Sequence, residues 1–279
     1  MSAQSYAFLQ TYILRNSGIV LDEGKRYLVE ARLMPIIRSE NIISLDSLCQ
    51  RVAANTSPQL NKLVIEAMTT NETLFFRDPS MFEALKVHVI PGLLDALNGK
   101  RKLRIWSAAS STGQEAYSLA MLLLELGINS KQVEIIGTDL AENVLERARS
   151  GKYVQFEVSR GLPMKYLSNY FTKAGMDWQL SKEVLSMVRF QQLDLRGSYH
   201  ALGKCDLVLC RNVLIYFSVE TKHAILEAIR ATLAPGGLLV LGCAETVIGV
   251  NDNFERKVFG SSTFYITREG LANGSIRAA

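Results

Sequence analysis

The 279-residue sequence is poor in the residues that build metal centres, with three histidines and four cysteines. The cysteines, Cys49, Cys205, Cys210 and Cys243, form no closely spaced pairs with further Cys or His ligands nearby, which excludes a zinc site of the usual pattern. The three later ones fall on apolar, strand-like runs, so they are expected to be buried, reduced core thiols, and reduced thiols point to a cytoplasmic setting. No apolar run is long enough to cross a bilayer. The N-terminal stretch MSAQSYAFLQTYILRNSG has no basic start followed by a long apolar run and a small-residue cleavage site, so it does not read as a signal peptide. Charge of one sign is also scarce: 31 Lys and Arg face 27 Asp and Glu, and a net charge of +4 names no nucleic-acid partner. No internal repeat or low-complexity tract stands out. What is present is apolar mass, 48% hydrophobic against 21% charged, enough for a substantial core.

That mass is organised in two textures. Residues 1 to about 70 carry helical patterns only: SYAFLQTYILRNSG, GKRYLVEARLMPIIRSEN, SLDSLCQRVAAN and PQLNKLVIEAMTTN. Ser5 and Ser44 are plausible N-caps, the Gly18 and Asn41 regions plausible stops, and Pro35 is expected to kink or shorten the second helix. From Lys102 strands and helices alternate. LRIWSA (103–108), VEIIGTD (133–139), VRFQQLD (188–194), CDLVLCR (205–211) and LLVLGCAE (238–245) read as strands. Helices follow at 112–127, 141–151 and 218–233, APGG (234–237) reads as a turn, and FERKVF with STFYIT forms a final hairpin. This alternation predicts a mostly parallel sheet covered on both faces, with ligands at the C-terminal ends of its strands. YFTKAGMDWQLSKEVLSMVRFQQ (170–192) holds two or three further strands, with a turn at Lys173-Ala174-Gly175.

Several strand ends carry polar residues that an apolar core would not select. SAASSTGQEAYS (107–118) opens a helix after small residues that admit close backbone approach, yet it holds only one glycine and is no GxGxxG fingerprint. An ordinary strand-to-helix turn also satisfies it. Asp139 ends the second strand, where nucleoside-binding sheets hold ribose hydroxyls, and it could equally cap the following helix. In CRNVLIYF (210–217), Arg211 and Asn212 leave an apolar strand ahead of Tyr216 and Phe217. The Asn/Asp-Pro-Pro-aromatic sequence of base N-methyltransferases is absent there, which argues against a nucleic-acid amine as acceptor.

Together with NETLFFRD (71–78), these stretches resemble the CheR family of chemotaxis-receptor glutamate O-methyltransferases, in order over residues 5–267. The resemblance implies an α/β fold of the class I S-adenosylmethionine-dependent methyltransferase type, a Rossmann-like and mostly parallel sheet. It adds an N-terminal all-helical domain (1–75) and a small antiparallel β-subdomain (about 168–192) inserted in a catalytic domain of residues 76–267. Residues 268–279 read as a flexible tail. The implied cofactor is S-adenosyl-L-methionine, leaving as S-adenosyl-L-homocysteine. Carried across by motif, Asn71, Thr73 and Arg77 contact it, Glu115 meets its amino-acid portion, and Asp139 holds the ribose. Asp194, Leu195, Asn212 and Val213 line the adenine and sulfonium region, with Arg77 and Tyr216 nearest the methyl and assigned to catalysis. NETLFFRD would be the helical domain's contribution to the site, with Phe75 and Phe76 joining the two domains. Gln114 departs from the glutamate of many relatives, and Asp194 from the asparagine of some.

The implied acceptor is a glutamate side chain in the cytoplasmic domain of methyl-accepting chemotaxis receptors. Such a carboxylate, with an ordinary pKa of about 4.3, is already ionised at neutral pH and requires no general base. This suits a chain whose His88, His200 and His223 occupy no strand end. Family members meet their receptor through a basic helix, matched here by Lys25, Arg26, Arg32 and Arg38, although residues 1–75 carry seven Lys and Arg against seven Asp and Glu. The short KAGMD turn argues against a tether to the receptor's C-terminal peptide. Two alternatives are a catalytically silent cofactor-binding regulator and a nucleic-acid methyltransferase.

Overall fold

A computed structural model describes residues 1–268. Except for Arg268, the expected tail lies outside the described residues. The chain forms two compact units, Met1–Thr70 with Tyr216–Thr221, and Asn71–Ile215 with the chain from Lys222 onward.

In the first unit the apolar spacing produces four helices: α1 (Ala3–Ser17), α2 (Arg26–Ser39), α3 (Leu45–Ala53) and α4 (Pro58–Met68). Ser2, Ser44 and Ser57 cap α1, α3 and α4, each hydroxyl accepting the N–H three residues on. The first cap is therefore Ser2, since Ser5 is already helical. Gly18 closes α1 in the left-handed conformation, and Asn41 follows α2 with φ 50°. Pro35 does not end α2, which runs on to Ser39. Proline removes one ladder bond, while Val29, Leu33, Ile36 and Ile37 bury one continuous face across it. That face packs with Tyr6, Leu9, Ile13, Leu48, Val64 and Met68 into a core of the unit's own.

The second unit is built on a seven-stranded sheet. Its strands, with those of a smaller sheet, are β1 (Leu103–Ala108), β2 (Val133–Asp139), β3 (Lys152–Val154), β4 (Phe171–Ala174), β5 (Asp177–Leu180), β6 (Val188–Gln192), β7 (Cys205–Cys210), β8 (Leu233–Leu241), β9 (Phe254–Phe259) and β10 (Ser262–Thr267). The main sheet runs β6-β2-β1-β7-β8-β10-β9. It is parallel from β6 to β8 and antiparallel at β10 and β9. Every residue of β7 is buried, as expected of a central strand covered on both faces. APGG does not precede β8 but lies within it, where the pairing with β7 shifts register.

The second unit's named helices are α5 (Pro79–Ala84), α6 (Ile90–Leu97), α7 (Gln114–Glu125) and α8 (Glu142–Ser150). The small sheet runs β3-β5-β4, all antiparallel. Its third strand comes from Lys152–Val154, upstream of the expected 168–192 segment, and Val188–Gln192 pairs with β2 instead. Its turn falls at residues 175–176 and shares only Gly175 with the turn read from the sequence.

NETLFFRD belongs to this second unit. Phe75 is fully buried, edge-on to Tyr153 at 4.9 Å and Phe171 at 5.6 Å, and Phe76 packs on Phe82 and Tyr166. The expectation that the helical unit contributes this stretch, with the two phenylalanines as a joint, is thus replaced. Their aromatic area is spent inside one core.

Candidate functional site

The loop after β1 turns sharply, with positive φ at Ala109, Ser111 and Gly113. Gly113 is required where it stands. A Cβ there would come within 3.0 Å of both Ala148 Cβ and Phe190 Cζ, and its φ is 91°. Ser111 ties this loop to two others: its N–H donates to Asp139 Oδ2 at 2.9 Å, and its hydroxyl donates to the Asn71 carbonyl at 2.7 Å. Asp139 Oδ1 also accepts the Ala141 N–H at 3.0 Å. Asp139 is 7% exposed, and the cap of α8 is Ala141. Leu193 donates its N–H to the Asp139 carbonyl at 2.9 Å, bringing the 194–195 segment alongside.

Arg211, the first residue past β7, is buried with a side-chain exposure of 2%. One terminal nitrogen donates to Glu115 Oε2 at 2.8 Å, and the other to the Asp78 carboxylate and to the Arg77 carbonyl at 3.1 Å. Glu115 Oε1 accepts from the Ser107 hydroxyl at 2.8 Å. The carboxylate is thereby oriented from both sides at the start of α7, where the helix dipole also favours it. The N–H of Phe76 donates to Ser118 Oγ of α7 at 2.9 Å, which docks NETLFFRD on the same helix.

Asn212 follows with φ 57°, a left-handed conformation uncommon outside glycine. It is held by Glu245. That carboxylate accepts the N–H groups of Asn212 (2.7 Å), Val213 (2.9 Å), Leu214 (2.7 Å) and Gly242 (2.7 Å). A cavity of about 400 Å³ opens beside Arg211, Gly242, Cys243 and Glu245, and Asn71, Glu115 and Asp139 do not border it.

The hydrogen bonds fall into three sets: Ser111 joins Asn71 to Asp139, Arg211 holds Glu115, and Glu245 gathers Asn212 and Val213, while Thr73 and Arg77 are half-buried on the stretch that begins at Asn71. Asp194 lies beyond β6, paired with Arg196 at 2.6 Å, and Leu195 is buried. Tyr216 groups with the helical unit, where its carbonyl accepts the Val20 N–H at 3.0 Å. Of the four basic residues, Lys25 pairs with Asp22 at 3.0 Å and Arg26 with Glu30 at 3.6 Å, and Arg38 is exposed. Arg32 instead serves its own unit, donating to the Met68 carbonyl (2.8 Å), the Thr69 carbonyl (3.1 Å) and Thr70 Oγ1 (2.8 Å).

Sequence reasoning assigned no role to Ser111, Arg211 or Glu245. A signal existed for two of them, a charged residue at the end of an apolar strand run, but neither partner could be named from it. Cys243 corrects a further expectation. It is exposed, because β8 ends at Leu241 and the chain leaves the sheet before the thiol, whereas Cys49, Cys205 and Cys210 are buried. Among the described residues, no helix is long and apolar enough to cross a membrane, and no cluster of His, Cys, Asp and Glu could hold a metal ion.

Comparison with known proteins places the chain in a family. The family described as CheR methyltransferase, SAM binding domain, matches residues 71–262, and the CheR methyltransferase all-alpha domain matches residues 4–69. The chain is similar to chemotaxis protein methyltransferase 1 of Pseudomonas aeruginosa, with 43% identity over 91% of this chain and 95% of that protein. It is also similar to chemotaxis protein methyltransferase Cher2 of Pseudomonas putida, with 42% identity over 88% and 91% of the two chains. A chemotaxis protein methyltransferase of Vibrio parahaemolyticus is 39% identical over 91% and 94%.

Proposed function

The chain belongs to the CheR methyltransferase family and is an S-adenosylmethionine-dependent methyltransferase, and from that premise we propose that it esterifies glutamate side chains in the cytoplasmic domain of chemotaxis receptors. The observation that carries this reading is the framework centred on Ser111, which ties the loop after β1 to Asp139 and to Asn71. Three segments far apart in sequence are thereby locked at the strand ends where the cofactor-binding residues are proposed to act.

The side chains present fit that cofactor. Asp139 and Glu115 place carboxylates after β2 and at the start of α7, each with capacity for about four hydrogen-bond donors. Ribose hydroxyls and an ammonium group are donors of the matching kind. When bound, S-adenosylmethionine supplies an electrophilic methyl on a sulfonium. In this reading Asn71, Thr73, Arg77, Asp194, Leu195, Asn212 and Val213 complete the cofactor's surroundings. The acceptor carboxylate is ionised at neutral pH, so the protein's task is positioning, worth up to about 11 kcal/mol. Arg77 would orient that carboxylate with its planar fork and Tyr216 would donate a hydroxyl. The Arg77 contact must be partial, since a tight clamp stabilises the reactant more than the transition state.

Receptor recognition is proposed for Lys25, Arg26 and Arg38, with Arg32 contributing chiefly through the end of α4. The test is transfer of radiolabelled methyl to receptor-containing membranes. Base-labile release of methanol marks a carboxyl ester, and label stable to base overturns the reading. Arg77→Ala is expected to abolish turnover while Arg77→Lys keeps a weak rate. Near-normal rates in both remove Arg77 from the mechanism.

A further inference from the structure

The geometry points to Arg211 as a positioning residue that couples cofactor binding to the placement of Arg77, an inference that rests on the function proposed above. Arg77 stands between two non-glycine residues of positive φ, Phe76 at 49° and Asp78 at 65°. Such backbone persists only where its surroundings hold it. Three contacts do so: Ser118 Oγ accepts the Phe76 N–H, and Arg211 donates to both the Arg77 carbonyl and the Asp78 carboxylate. The other end of the same guanidinium holds Glu115 at 2.8 Å. One rigid, planar group therefore sets the direction in which the Arg77 side chain leaves the main chain, and also the orientation of the carboxylate assigned to the cofactor.

The side chain is well suited to this double duty. A guanidinium carries donors on separate terminal nitrogens in a fixed plane, so it can serve Glu115 on one side and the Arg77–Asp78 bend on the other. A lysine in its place has a single nitrogen and cannot span the two. Burial sharpens the dependence, because Arg211 is 2% exposed, Glu115 12% and Asp78 31%, and loss of the cation leaves two carboxylates without their shared partner. The Nε of Arg211 is buried with no partner among the described residues, so the whole anchorage runs through the two terminal nitrogens.

The experiment uses the full chain with three variants: Arg211→Lys, Glu115→Gln and Asp78→Asn. Binding of S-adenosylhomocysteine is measured by calorimetry, methyl transfer to receptor membranes at saturating cofactor, and folding by thermal midpoint. Arg211→Lys is expected to lose about tenfold or more in both affinity and kcat. The single-partner variants should divide those losses. Glu115→Gln loses mainly affinity, and Asp78→Asn loses more in kcat than in affinity, since Arg77 is assigned both to the acceptor and to the cofactor. A merely structural arginine predicts no such division, only losses that follow the fall in midpoint, and that pattern overturns the inference. So does an Arg211→Lys protein with wild-type affinity and rate. If Arg211→Lys does not fold, the contrast between Asp78→Asn and Glu115→Gln decides alone. A wild-type chain that binds no S-adenosylhomocysteine and labels no membranes would instead remove the underlying functional reading.

Discussion

Glu245 Oε2 accepts the N–H of Asn212 at 2.7 Å, across 33 residues of sequence. The same carboxylate gathers the N–H groups of Val213, Leu214 and Gly242, so one acidic side chain shapes the loop that follows β7. Glutamine has one acceptor oxygen and would turn an NH2 toward the remaining donors. Glu245→Gln is therefore expected to cost about 2 kcal/mol or more of stability, as buried N–H groups lose their partner. Its kcat/KM should fall at least about tenfold as the loop relaxes. Gly242→Ala should do similar harm, since its Cβ would lie 2.6 Å from Asn212 Nδ2 and 2.8 Å from Glu245 Oε2. Denaturant titration and initial rates check both, and a Glu245→Gln enzyme with wild-type kcat/KM would show that the loop holds itself.

Arg32 now carries a stability prediction. Its guanidinium satisfies carbonyls at the C-terminal end of α4, where a cation also complements the helix dipole. Arg32→Glu should lower the stability of the helical unit by about 2 kcal/mol, because a carboxylate would then face those carbonyls. Arg38→Glu, at an exposed position, should leave stability within about 0.5 kcal/mol. Equal melting temperatures for the two variants would contradict the capping role of Arg32. A rise in receptor KM on reversing Arg32 must accordingly be compared with its melting temperature.

Gly161 reports on the docking of NETLFFRD. Its φ is 78°, and an added Cβ would fall 2.1 Å from the Phe75 carbonyl oxygen. Gly161→Ala is expected to destabilise the second unit by about 3 kcal/mol, combining backbone strain with displacement of Phe75. Thermal unfolding of the variant tests this, and an unchanged midpoint would mean that the contact yields without cost.

Thiol chemistry should single out Cys243. Burial pushes the Cys205 thiol up to about 11 and Cys210 well above its ordinary value, and it raises Cys49 as well. A group whose pKa is raised stays protonated through neutral pH, so these three remain thiols there and are also sterically shielded. One thiol per chain is expected to react quickly with an aromatic disulfide at pH 8, and Cys243→Ser should remove that phase. Two fast thiols, or a fast phase surviving in the variant, would refute the assignment.

The strands β1, β2, β9 and β10 are legible in the sequence to the residue, because the apolar pattern of a buried strand and the turn chemistry beside it are local properties. The same holds for the stop at Gly18 and the cap at Ser44. Pro35 does not end α2 early because a local rule, the missing ladder bond, was outweighed by burial along the helix. Cys243 misled because the apolar run continues past the last residue that the sheet pairs.

The sequence by itself determined the element order, the parallel sheet and the motifs that identify the family. Which charges work together was decided only in three dimensions. Arg211 and Asp78 are 133 residues apart, and Glu245 lies 33 beyond Asn212. Periodicity constrains a residue's neighbours within a few positions, whereas a hydrogen bond forms between whatever groups the packed strands bring within about 3 Å.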